Sequence, residues 1–331
     1  MAHVDHKKKG VPPLPSLPPK AKKIAEQFES GSVLGASLTI RMISEILRIK
    51  VNEDNFSTVD SLCKELNQLG DYFIKTRGEL SPAVNNAINW ILCDLEEVSQ
   101  GKTISNIKEY VNNRTLDYER KSIEDINKIS KYGANLLNSG NKVMAYDYSS
   151  SVNAVLQQTA AGGKFLTIVI PESRGVENSS LNILDEMIKV GHKVLYILDT
   201  GIGNELRTCN AVFVGAESLT ADGGFWTTEG TCSLAILANY YNIPFYVTTE
   251  LLKIDPFSYV GKNRKINRRQ IRVFEKEKAL KNSPLISYDQ DDLEFTPREL
   301  ITSYITEEGI IPPEAIWSVA HKYILQTIKN I

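Results

Sequence analysis

Cysteine, histidine and any excess of one charge are scarce in this chain of 331 residues, and each shortage excludes something. The four cysteines, Cys63, Cys93, Cys209 and Cys232, stand far apart with no CxxC spacing. That argues against a zinc knuckle or a disulfide framework and for reduced, mostly buried thiols in a cytosol. Only His192 and His321 lie outside the N-terminal arm, and neither has a Cys, His or carboxylate at ligand spacing. A metal centre and a hydrolase triad are therefore not expected, and both histidines read as surface or core residues. Lys+Arg 38 against Asp+Glu 40 leaves no global field to hold a nucleic acid or an anionic membrane. No apolar run approaches the roughly 18 residues of a membrane span, and no apolar stretch marks a signal peptide, so a cytoplasmic location is expected. Neither a GxGxxG after the first strand nor a GxxxxGK[ST] occurs, which leaves dinucleotide and P-loop nucleotide binding without a motif and no cofactor expected.

What is present divides into three stretches. Residues 1–23 are rich in lysine and proline and read as a flexible basic arm, whose lysines either touch phosphates or are simply solvated. Residues 24–130 repeat apolar residues at i, i+3 and i+4 in LTIRMISEILRI, VDSLCKELNQLGDYFI, AVNNAINWILCDLEEV and YERKSIEDINKISKYGANLL, the pattern of a helical domain. Ser81-Pro82 reads as an N-cap followed by proline at the first helical position. In 131–331 the short β-rich runs VMAYD, FLTIVIPES, KVLYILD, AVFVGAE and PFYVTTE alternate with helical segments. That alternation predicts an α/β domain, Rossmann-like and doubly wound around a mainly parallel sheet.

Ligands in such sheets sit beyond the carboxyl ends of the strands. The rule nominates Asp147 with Ser149 to Ser151, Glu172 to Arg174, Asp199, Gly215 to Glu217, and Glu250. Ser149, Ser150 and Ser151 with the first free amides of a helix form either a phosphate site or a plain N-cap. Arg174 either pins a phosphate or sugar hydroxyl through its planar fork or pairs with Glu172 or Glu217. Gly215 lets the backbone come close, and the turn Asp222-Gly223-Gly224 brings the helix start at Gly230-Thr231 towards Glu217. A carboxylate there is a general base or a partner for a ligand hydroxyl. Phe225 and Trp226 serve either a ligand ring or the core. The basic run 261–272 lacks interleaved aromatics, so it reads as a solvated loop or a contact with an acidic partner, and no direct nucleic-acid binding is expected.

In order along the chain, ESR at Glu172 to Arg174, VGAES from Val214, DGGFWTTEGT from Asp222, IPFYVTTELLK from Ile243 and FTPRELITSYITEEGIIPP from Phe295 resemble one family. It unites the alpha, beta and delta subunits of eukaryotic translation initiation factor 2B with methylthioribose-1-phosphate isomerase and ribose-1,5-bisphosphate isomerase. GSVLGASLTIR and TRGELSPAVNNAINWIL extend the resemblance more loosely into the helical half. The resemblance implies a helical domain, a Rossmann-like domain, a dimer through the C-terminal domains, or a subunit of a larger complex, and a sugar-phosphate or nucleotide-phosphate pocket between the domains.

The isomerases' cysteine at the first strand end is matched by Asp147 or Tyr148, their aspartate by Glu217, and their Asn-Lys pair by Thr227-Thr228. The arginine-proline pair has become Arg174-Gly175, a downstream glutamine is matched by Asn178, and Leu34 precedes the glycine where an arginine is expected. The resemblance therefore favours a regulatory, ligand-binding protein without the known isomerase chemistry. Two alternatives stand beside it. One is an aldose-to-ketose isomerase of a phosphorylated ribose with Asp147 and Glu217 as acid/base pair, and with Arg174 and the Gly230-Thr231 helix start holding phosphate. The other is a dimeric assembly module with an empty cleft.

Overall fold

The computed structural model describes residues 12–29, 35–79, 81–173, 179–261, 266, 268–270, 285–286, 289–291 and 293–327. It divides the chain into two units, Met1–Asn127 with Glu250–Gly261 and Trp317–Ile331, and Lys128–Thr249 with Lys262–Ile316. The chain thus returns twice to the helical unit after leaving it.

The first unit is built from α1 (Pro19–Glu29), α2 (Ala36–Glu53), α3 (Val59–Phe73), α4 (Pro82–Leu92), α5 (Leu95–Ser99) and most of α6 (Ile104–Asn135). Their apolar stripes meet in one core that includes Ile43, Leu47, Leu66, Phe73, Ile88 and Ile107. α1 starts inside the stretch expected to be a flexible arm, because proline is tolerated at a first helical position. Ahead of it, Leu14 and Leu17 pack on the core. Lys50, fully buried, holds this segment by donating to the Ser16 carbonyl at 2.7 Å while pairing with Asp54 and Glu65 at 2.5 and 2.7 Å. A buried ammonium needs all of these acceptors. Ser81 stands at the N-cap position of α4 as expected, yet its hydroxyl caps nothing and is buried without a partner.

The second unit carries a seven-stranded sheet: β1 (Lys142–Tyr146), β2 (Thr167–Pro171), β3 (Lys193–Ile197), β4 (Ala211–Gly215), β7 (Phe245–Thr248), β11 (Ser303–Thr306) and β12 (Gly309–Ile311). Its order is β12-β11-β7-β4-β1-β2-β3, all parallel except the edge pair β11/β12. Counting parallel strands in chain order gives 3-2-1-4-5-6, the doubly wound arrangement that the alternating runs predict. β1 is central, pairing Met144 with Val169 on one side and with Val212 on the other. Buried on both faces, it reads as an unbroken apolar run.

α7 (Ser150–Ala161), α8 (Ser179–Lys189), the short α9 (Ile202–Leu206) and α10 (Thr231–Tyr240) make the crossovers. A second sheet of β5 (Ser218–Leu219), β6 (Phe225–Thr227) and β10 (Glu294–Thr296) follows β4. Phe225 belongs to the core, edge-on to Tyr304 at 6.3 Å, and Trp226 packs on Phe295 at 5.4 Å. Part of the basic run is strand rather than loop: β8 (Arg268–Gln270) pairs antiparallel with β9 (Asp289–Asp291). The chain ends in α11 (Ile316–Thr327), whose Trp317 stacks on Tyr259 at 4.6 Å in the first unit. Among the described residues no helix is long and apolar enough to cross a membrane.

His192 fastens two crossovers of the second unit. Its Nδ1 accepts from the Leu166 N–H at 3.1 Å, which leaves Nε2 to donate to the Leu156 carbonyl at 2.9 Å. Replacing His192 by Leu strands a buried donor and a buried acceptor, and is expected to cost about 1–3 kcal/mol for an unsatisfied buried group. Urea unfolding of His192→Leu beside the unmodified chain checks this.

Candidate functional site

The strand order turns back between β1 and β4, and in such sheets the carboxyl ends of those two strands are where a ligand crevice lies. Asp147, directly after β1, has φ 60°, a conformation rare for a residue with a side chain. Its Oδ1 accepts from the Tyr148 N–H at 2.6 Å and its Oδ2 from the Thr228 hydroxyl. Ser149 accepts the Val152 N–H at 3.4 Å and so caps α7. Its hydroxyl lies where a side chain on Gly215 would begin, 2.5 Å from that position, so the end of β4 must be glycine for the two loops to meet. Ser150 is exposed at the first position of α7, and Ser151 is buried.

The other wall comes from β6 and α10. The Glu217 N–H donates to the Trp226 carbonyl at 2.9 Å, tying the β4–β5 link to the strand that delivers Thr227 and Thr228. Glu217 itself is half-buried. The Tyr146 phenol donates to the Glu229 carbonyl at 3.0 Å. Gly230 leaves it room, since a side chain there would start 2.2 Å from the phenol oxygen. Burial, with the charges of Asp199, Asp147 and Glu294 added, pushes the Tyr146 phenol well above its usual range.

The helix start at Gly230-Thr231, an expected phosphate holder, already has an anion. Glu294 of β10 accepts the Cys232 N–H at 2.5 Å, close to the Gly230 and Thr231 amides. Burial raises the Glu294 carboxyl and those three amides pull it back, while nearby Glu229 adds to the rise. The Thr231 hydroxyl turns instead to the Thr228 carbonyl at 2.8 Å. No sequence signal pointed to Glu294, which lies 62 residues from Cys232. Tyr146 was also missed, embedded in a run that reads only as a strand, whereas Ser173 fell within the nominated span Glu172 to Arg174.

The structure brings Asp147, Ser149, Gly215 and Thr228 together. Arg174 and Asn178 lie outside the described residues. The four cysteines are free thiols, and burial pushes each of them up, Cys209 to about 11, so none is poised as a thiolate nucleophile. Among the described residues no cluster of His, Cys, Asp and Glu has the arrangement of a metal site.

These features define a protein of the doubly wound α/β class with polar side chains gathered at its switch point. The chain belongs to the Initiation factor 2 subunit family, whose model matches residues 32–313. It is 25% identical over 307 residues to the ribose 1,5-bisphosphate isomerase of Methanocaldococcus jannaschii, covering 91% of this chain and 94% of that one. It is 27% identical to translation initiation factor eIF2B subunit delta of Dictyostelium discoideum, covering 82% of this chain and 44% of the other. The solved structure of 5-methylthioribose 1-phosphate isomerase from Pyrococcus horikoshii OT3 superimposes with a TM-score of 0.74 at 22% identity, over 91% of this chain and 87% of that one. That likeness establishes the fold.

Glu250, nominated by the same strand-end rule, belongs to the helical unit, where the Ser122 hydroxyl lies 3.5 Å from its carboxylate. Burial raises the Glu250 carboxyl and Asp125 adds to the rise, while Lys253 and Lys121 pull against it. A carboxyl raised in the folded state contributes stability that is complete below its ordinary value of 4.5 and is lost as pH rises through the folded value. The stability of Glu250→Gln relative to the unmodified chain is therefore expected to improve from pH 4.5 to pH 8. Thermal unfolding across that range reads it, and a difference independent of pH contradicts it.

Proposed function

We propose that the chain is an aldose-to-ketose isomerase of a phosphorylated ribose, with Asp147 and Glu217 as its acid/base pair. The observation that carries this reading is the fixing of Asp147 at the switch point, with one carboxylate oxygen on Thr228 and the other on the Tyr148 amide. The near full-length match to a ribose 1,5-bisphosphate isomerase supports it. Because O1 carries the phosphate, the reaction moves one hydrogen from C2 to C1 and one hydroxyl proton from O2 to the ring oxygen O4, whose bond to C1 breaks as C2 becomes the carbonyl, with no external oxidant or reductant. One carboxylate takes the carbon-bound proton and returns it to the neighbouring carbon, and the other carries the hydroxyl proton. Thr227-Thr228 in place of Asn-Lys removes a cation from the site, so positive charge for the phosphate falls to Arg174.

A second reading, ligand binding that regulates without turnover, is favoured by one observation. At the helix start where an oxyanion would bind, the Cys232 amide is occupied by Glu294. On either reading the chain pairs as a homodimer through the second unit. There Ile236 and Tyr240, one turn apart on α10, are 53% and 77% exposed, and large apolar side chains left in water suit association.

NMR of the purified protein with ribose 1,5-bisphosphate or methylthioribose 1-phosphate tests the first reading by formation of the ketose. Asp147→Asn is expected to lower kcat by about 100-fold or more, the usual weight of a general acid or base. Saturable binding of either sugar phosphate without conversion would instead establish the second reading. Light scattering on a sizing column tests the pairing, with the unmodified chain eluting at twice its mass and Tyr240→Glu as a monomer.

A further inference from the structure

Two of the four non-glycine residues with positive φ among the described residues, Asp147 at 60° and Ser173 at 49°, sit at the ends of the adjacent strands β1 and β2. Such conformations persist where surrounding bonds hold them and concentrate at working sites. Here the bonds form a chain across three neighbouring strand ends. The Asp199 carboxylate, after β3, accepts the Ser173 N–H at 2.9 Å. The Ser173 hydroxyl oxygen accepts the Asp147 N–H at 3.2 Å, and the Asp147 carboxylate takes the Thr228 hydroxyl. Ser173 has no exposed surface, so it meets no ligand itself. Its hydroxyl hydrogen is turned back to the Pro171 carbonyl, 3.5 Å away.

We infer that Ser173 and Asp199 are positioning residues that hold the backbone of Asp147 in its left-handed conformation and so aim its carboxylate into the crevice. The inference deepens the isomerase reading and rests on it for its kinetic half. Asp199 acts as an acceptor for one amide, a task an Asn oxygen also performs, and it reaches the crevice through Ser173. Its substitution therefore alters the height of the barrier more than the hold on the sugar phosphate.

The test compares Asp199→Asn, Asp199→Ala, Ser173→Ala and Asp147→Asn for kcat and KM on ribose 1,5-bisphosphate, with crystal structures of the two alanine variants. The expected result is a fall of tenfold or more in kcat for Ser173→Ala and Asp199→Ala with KM within threefold, near-normal kcat for Asp199→Asn, and a φ at residue 147 that has left +60°. A Ser173→Ala structure that keeps residue 147 near +60° overturns the inference whatever the kinetics. So does kcat within twofold for both alanine variants while Asp147→Asn is inactive. If no chain turns over substrate, the isomerase reading fails, and the φ of residue 147 alone decides whether the positioning chain exists.

Discussion

The hydrogen bond between the Thr228 hydroxyl and the Asp147 carboxylate ties the end of the central strand to the second sheet, and the proposed site depends on it. Asp147 leaves the central strand of the sheet, whereas Thr228 belongs to the small second sheet and the start of α10. The close approach of Ser149 to Gly215 brings the end of β4 to the same place. Residues 147–149 thus meet Gly215 and Thr228, more than 60 residues further along the chain, where the sheet order reverses between β1 and β4.

The character of the crevice follows from what lines it. Asp147, Glu294 and the carbonyl of Glu229 are acceptors, and the thiols of the chain are held protonated by burial. Carboxylates and hydroxyls are the side-chain groups gathered there. Proton transfer between neighbouring carbons suits such a set, since it needs an acid and a base in fixed places and no co-reactant. The amides at the start of α10 show the same economy, closed by a side chain of the protein itself.

Much of the fold was legible because local pattern determines it. A central parallel strand such as VMAY is covered on both faces and reads as an apolar run, and the helices of the first unit show their stripes plainly. α6 extends back to Ile104, beyond its periodic stretch, because its first half packs Ile107 and Val111 on the helical core. Proximity to strand ends sufficed to nominate Asp147, Asp199 and Gly215. What stayed hidden depends on pairs far apart in sequence: Glu294 reaching the amide of Cys232, Lys50 reaching Ser16, and His192 bridging Leu156 and Leu166. Backbone conformation was equally silent, since nothing in the letters Asp147 or Ser173 announces a positive φ.

The most direct measurement of the central claim is amide hydrogen exchange of the full chain with and without saturating ribose 1,5-bisphosphate. A ligand seated at the switch point slows exchange at residues 147–151, 215–217 and 227–231 and leaves the sheet edge at β3 unchanged. Protection elsewhere, or none at those three segments while the ligand is bound, would contradict the account.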